Sequence, residues 1–160
     1  GITLYLADRN DAVWPADADA DARAWAQCAA AEMHSGFSAL RNECTMNVGV
    51  RVKPQPHSAA LTANIARIRE LWEEGLERFG GPYLAGTHFS AVDAYFAPVA
   101  WRARTYGLDV GAGQAWVEAI IAHPAMQQWE AEALAEHWRE EGHEDELRAC
   151  GEIIADYRHG

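Results

Sequence analysis

His34, Ser38 and Arg41 recur at steps of three and four, with Gln27 and Ala30 extending the row, so on a helix they would share one polar face of mostly small side chains. An imidazole titrating near neutrality beside a planar, five-donor guanidinium is a combination that can hold a polar or anionic ligand. The plainer reading is a solvent-exposed histidine on a helix surface. Met33, Phe37, Leu40 and Cys44 recur with the same period on a separate stripe, as a core-facing surface should. The segment Ala31 to Glu43 therefore reads as a helix with two faces, one for the core and one able to wall a cleft.

Three other groups invite chemistry. His137 and His143 lie among Glu136, Glu140, Glu141, Glu144 and Asp145, but no two histidines sit four residues apart on one helical face, so a solvated charged segment is expected and no metal. Ser90 and Asp93 next to His88 suggest a hydrolytic triad only superficially. Ser-x-x-Asp before an apolar run is a capping box, in which both side chains serve backbone N–H groups. Cys28, Cys44 and Cys150 are odd in number and widely spaced, which points to free or buried thiols.

The elements that must position these residues are helical almost throughout. Across 160 residues the apolar period is near 3.6, and alternation of the strand type occurs only at Val48–Val52. A first helix is expected to end near Asn10, followed by a linker through Trp14–Pro15. The Asp-Ala run with Asp17, Asp19 and Asp21 then caps a long helix from about Asp19 to Cys44. Ser58 caps a helix with the stripe Leu61, Ile65, Ile68, Trp72, Leu76 and Phe79, ended by Gly80-Gly81-Pro82. Ser90 opens the next, which contains Pro98 and stops at Gly107. Helices are expected from Gly113 to Ala122, from Pro124 to about Glu140, and weakly from Asp145 to Tyr157. With 49% hydrophobic residues the chain can bury a core, and its seven Trp are expected as packing units between helices. A net charge of −11 and a pI near 5.0 argue against nucleic-acid and anionic-membrane partners. No run approaches the roughly 18 apolar residues of a membrane span, and no signal segment is evident, so a cytoplasmic protein is expected.

Three pieces of this sequence resemble the C-terminal helical domain of cytosolic glutathione transferases. Ile2 to Asn10 is similar to the end of the last helix of the family's thioredoxin-like domain, leading into the linker with Trp14-Pro15. Phe89-Ser90-Ala91-Val92-Asp93 is similar to the capping box of the family's central helix. AEMHSGFSAL resembles a segment on the first long helix of the bacterial, beta-class enzymes. The stretch Asn42 to Val52 and the tail beyond about Leu147 have no counterpart in that class.

The resemblance implies an all-α glutathione transferase C-terminal-like bundle of five to six helices. Residues 1–15 would be the end of the thioredoxin-like domain and the linker, 16–140 the helical domain and 141–160 a charged C-terminal extension. It implies glutathione as co-substrate, an electrophilic small molecule as partner, a homodimer, and a role in detoxification. Glu32 and His34 would contact glutathione, Met33, Phe37 and Arg41 would line the electrophile pocket, and Ser90 and Asp93 would be structural. The thiol-activating residue belongs to the family's thioredoxin-like half, so no catalytic residue is expected in this chain and the chain alone is expected to be inactive. A non-catalytic binding or protein-interaction module on the same architecture is the alternative.

Overall fold

The computed structural model describes residues 1–16 and 19–158. Among these are eight α-helices, one two-stranded sheet and two short 3₁₀ turns at Asp11–Val13 and Gly111–Gly113. The helices are α1 (Ile2–Ala7), α2 (Ala20–Ser35), α3 (Ser38–Glu43), α4 (Ala59–Phe79), α5 (Ala91–Tyr106), α6 (Gln114–Ala122), α7 (Pro124–Ala135) and α8 (Glu141–Cys150). The strands are β1 (Val50–Pro54) and β2 (Gly151–Asp156). The fold is all-α in class, with more helices than the five to six expected.

The caps follow the sequence. Asp19 opens α2 by accepting from the Ala22 N–H at 3.0 Å, and Ser58 opens α4 by accepting from Leu61 at 3.0 Å. Asp17, the other acidic residue expected to cap here, lies outside the described residues. Gly80 (φ 75°) and Gly107 (φ 63°) end α4 and α5 in the left-handed conformation that glycine adopts without strain. Pro98 lies within α5 without ending it.

The helix expected from Asp19 to Cys44 is two helices. Gly36 is extended and Phe37 left-handed (φ 59°), which turns the chain between α2 and α3 and drops the Phe37 ring into the core. A Cβ on Gly36 would stand 2.8 Å from the Glu32 carbonyl, so the break needs glycine there. The positive φ of Phe37 costs of the order of 1 kcal/mol, which burial of its ring offsets.

α5 is the central element, packed against α2, α6 and β1. Trp72 of α4 meets Trp116 at 4.4 Å and Phe96 edge-on at 6.0 Å, and Trp25 meets Phe79 at 5.5 Å. Trp14, Trp25, Trp72, Trp101 and Trp116 are buried, whereas Trp129 and Trp138 are exposed. The tail also departs from expectation. The helix expected over Asp145 to Tyr157 is α8, which begins at Glu141, followed by β2, and β2 pairs antiparallel with β1, Val50 opposite Asp156 and Lys53 opposite Glu152. Leu147 and Cys150 sit in the core, so the charged segment is an outer face of an integral element.

Candidate functional site

The site candidates fall on the last turn of α2, the α2–α3 break and the start of α5. His34, in the last turn of α2, is exposed and its imidazole makes no hydrogen bond to the described residues. Two residues back, Glu32 is held by Arg67 of α4, whose Nε and Nη2 donate to the two carboxylate oxygens at 2.8 and 3.0 Å. Arg67 also donates to Glu70 at 3.1 Å. The guanidinium holds the Glu32 carboxyl below its usual range, against a smaller opposing effect of burial.

The expected electrophile-pocket residues are placed differently. Met33 and Phe37 are buried in the main core, 5% and 6% exposed. Arg41 is folded back on the end of α2, where its two terminal nitrogens donate to the carbonyls of Gly36 and Met33. A cation there satisfies orphaned carbonyls and meets the negative end of the helix dipole. His34, Ser38 and Arg41 therefore do not form one continuous face, because the chain turns between them at Gly36.

The Ser90–Asp93 pair forms the expected capping box and does more. The Asp93 carboxylate is fully buried and accepts from the Ser90 N–H (3.0 Å) and hydroxyl (3.3 Å), from the Leu84 N–H (2.9 Å) and from the Trp116 indole (2.9 Å). It ties the 80–90 loop, the start of α5 and the first turn of α6 to one point. Burial pushes its pKa up, and the donated bonds oppose that shift. His88 is exposed and unconnected to this pair. Leu84, Trp116, Arg67 and the buried Arg102 were not singled out from sequence. Only Arg102 left a trace there, as a cation set among Ala100, Trp101 and Ala103 in the most buried helix.

On the adjoining surface α1 exposes Ile2, Leu4, Tyr5 and Leu6, at 79%, 59%, 57% and 48%. Thr3 Oγ1 and Tyr95 Oη, 3.1 Å apart, fasten α1 to α5. Four exposed apolar side chains in one six-residue helix are more than a short surface helix ordinarily shows to water, and the Arg9 guanidinium covers one of them, lying 3.6 Å over the Tyr5 ring. A cleft of about 550 Å³ lies between the linker at Trp14–Pro15 and the loop bearing Phe89, next to Phe79. Among thiols, burial pushes Cys44 up to about 12, which removes it as a nucleophile near neutrality. Among the described residues no three His, Cys, Asp or Glu side chains are grouped as metal ligands, and no helix is long and apolar enough to cross a membrane.

Residues 55–132 match the family model described as glutathione S-transferase, C-terminal domain. That stretch is similar to the helical half of a glutathione transferase. It spans α4, α5, α6 and most of α7, and includes the Asp93 node that organises them. α2, with Glu32 and His34, lies outside the matched residues, as does the α8–β2 tail. No curated protein matches the chain.

Proposed function

We propose that this chain is the helical, electrophile-facing domain of a bacterial glutathione transferase of beta-class type, acting with a thioredoxin-like domain that binds glutathione. The observation that carries this reading is the transferase-domain match over α4–α7, built around the buried Asp93 node. Two features of the adjoining surface support it. α1 offers an apolar face for such a domain, and His34 stands exposed with an unused imidazole that can donate to a bound peptide. In that arrangement the thioredoxin-like domain lowers the glutathione thiol's pKa, and the helical domain holds the electrophile against the thiolate. The whole protein would be a cytoplasmic homodimer serving detoxification.

A second reading, a non-catalytic binding module on the transferase architecture, is favoured by one observation: both oxygens of Glu32 are already taken by Arg67. A glutathione ammonium would have to displace a bidentate guanidinium to reach it.

The readings separate in a conjugation assay with an aryl halide. The 160-residue chain is tested alone and as one polypeptide joined behind a thioredoxin-like glutathione-binding domain. The transferase reading expects turnover only from the joined protein. Turnover by the chain alone overturns the division of labour, and a joined, folded, glutathione-binding protein without turnover favours the binding module.

A further inference from the structure

Two charged side chains are buried among the described residues, Asp93 and Arg102, and their surroundings differ in one respect. Asp93 has its complement of donors. Arg102, 9% exposed on α5, has no carboxylate bonded to it. Its Nε donates to the Cys44 carbonyl at 2.6 Å, and its Nη1 donates to the Pro98 carbonyl at 3.3 Å and lies 3.5 Å from Met46 Sδ. Nη2 bonds to no atom of the described residues and is the one nitrogen of the group left open to solvent. A guanidinium stays protonated under all ordinary conditions, so a buried one without a counter-charge is costly unless a ligand supplies it.

The nearby charge makes matters worse. Arg41 approaches from α3 with its own hydrogens turned to backbone carbonyls and likewise without a carboxylate. Burial first, and the charge of Arg41 second, pull the Arg102 pKa below its ordinary value. Both guanidiniums line one cavity of about 280 Å³ between the end of α3, the chain after it and α8. Thr45 and Asn47 complete its inner wall. Asn47 Oδ1 accepts from the Gly49 N–H at 2.9 Å, which leaves its amide hydrogens available. The acids on the α8 rim are engaged elsewhere: Glu144 with Arg158 at 2.6 Å and Glu146 with His143 at 3.1 Å.

We propose that this cavity binds the carboxylate head group of a small organic acid, with Arg102 Nη2 as the charged donor, the Asn47 amide as a second donor and Arg41 as a flanking positive charge. Its size suits a benzoate-sized acid. Neither Glu32 nor His34 lines it, so the site stands or falls independently of the glutathione reading.

Isothermal titration of the full chain with benzoate, with inorganic phosphate and with sodium chloride at matched ionic strength tests it, without glutathione present. Saturable one-to-one binding of benzoate, tighter than phosphate and not reproduced by chloride, is expected. Arg102→Met should weaken it by roughly ten- to hundredfold, the worth of a charge-assisted hydrogen bond. Because Arg102 also supports the Cys44 carbonyl, its loss can disturb folding, and Glu146→Gln supplies the complementary test. Glu146 is exposed (61% of its side chain), and removing its negative charge from the rim should tighten benzoate roughly two- to threefold at low salt. The proposal is overturned by the lack of saturable benzoate binding, by phosphate binding more tightly, by a folded Arg102→Met protein that binds like wild type, or by Glu146→Gln leaving affinity unchanged or weaker.

Discussion

Replacing Asp93 with alanine should be among the most damaging single changes in this domain. The substitution strands three N–H donors, from Leu84, Ser90 and Trp116, in an interior where water cannot replace the carboxylate. Each unpaired buried donor costs about 1–3 kcal/mol, so the gross loss is of the order of 3–9 kcal/mol. Part of this is offset because the variant no longer buries a charge, which leaves a net loss of about 3–5 kcal/mol. That is a large share of a typical total stability of about 5–15 kcal/mol, and a fall in Tm of roughly 10 °C. Asp93→Asn keeps one acceptor oxygen but turns an amide toward the two Ser90 donors, and should cost less, about 1–3 kcal/mol. Trp116→Phe removes one donor and keeps most of the ring, for about 1 kcal/mol. Urea unfolding followed by far-ultraviolet circular dichroism measures all three. Asp93→Ala within about 1 kcal/mol of wild type, or Trp116→Phe as damaging as Asp93→Ala, would refute the reasoning that this carboxylate is the joint between loop, α5 and α6.

Gly75→Ala should destabilise by about 1–3 kcal/mol in the same assay, because an added Cβ would strike the Leu84 carbonyl and the Trp25 ring where α4 is packed most closely. Arg158→Ala should loosen the tail, since Arg158 joins Glu144 of α8 to Asp156 of β2 at 2.6 and 2.7 Å. A loss of about 1 kcal/mol is expected at neutral pH, with faster amide exchange in β2. Arg158 holds the Asp156 carboxyl below its ordinary value, so that stabilisation is present above the unfolded carboxyl's pKa near 4 and is lost as pH falls through the folded value. The gap between wild type and Arg158→Ala should therefore shrink below about pH 4, and a gap that widens on acidification would contradict the assignment.

What could be read from sequence was what local rules decide. The stripe from Leu61 to Phe79, the stop at Gly80 and the Ser90–Asp93 box depend on residues within a few positions of one another, and all stand as read. The break at Gly36–Phe37 was missed because the periodicity of Met33, Phe37 and Leu40 continues across it. What selects the turn is a space in the core for the Phe37 ring and the carbonyls that Arg41 reaches. The β1–β2 pairing was missed for a different reason. It joins segments about a hundred residues apart: strand-type alternation marks Val48–Val52, which overlaps β1, but nothing local announces its partner at Gly151–Asp156. For the candidate site, sequence identified His34 as exposed-face chemistry, but could not show that Glu32 would be claimed by Arg67 thirty-five positions away, or that Arg102 would be buried without an acid.

In the proposed function α2 forms a wall of the glutathione site, and His34→Ala in the joined two-domain protein tests this most directly. His34 is exposed and unbonded, so stability should stay within about 0.5 kcal/mol of wild type. Loss of one hydrogen bond to a charged tripeptide should lower kcat/KM for glutathione roughly ten- to hundredfold. An unchanged kcat/KM in a protein that folds and conjugates normally would contradict the account.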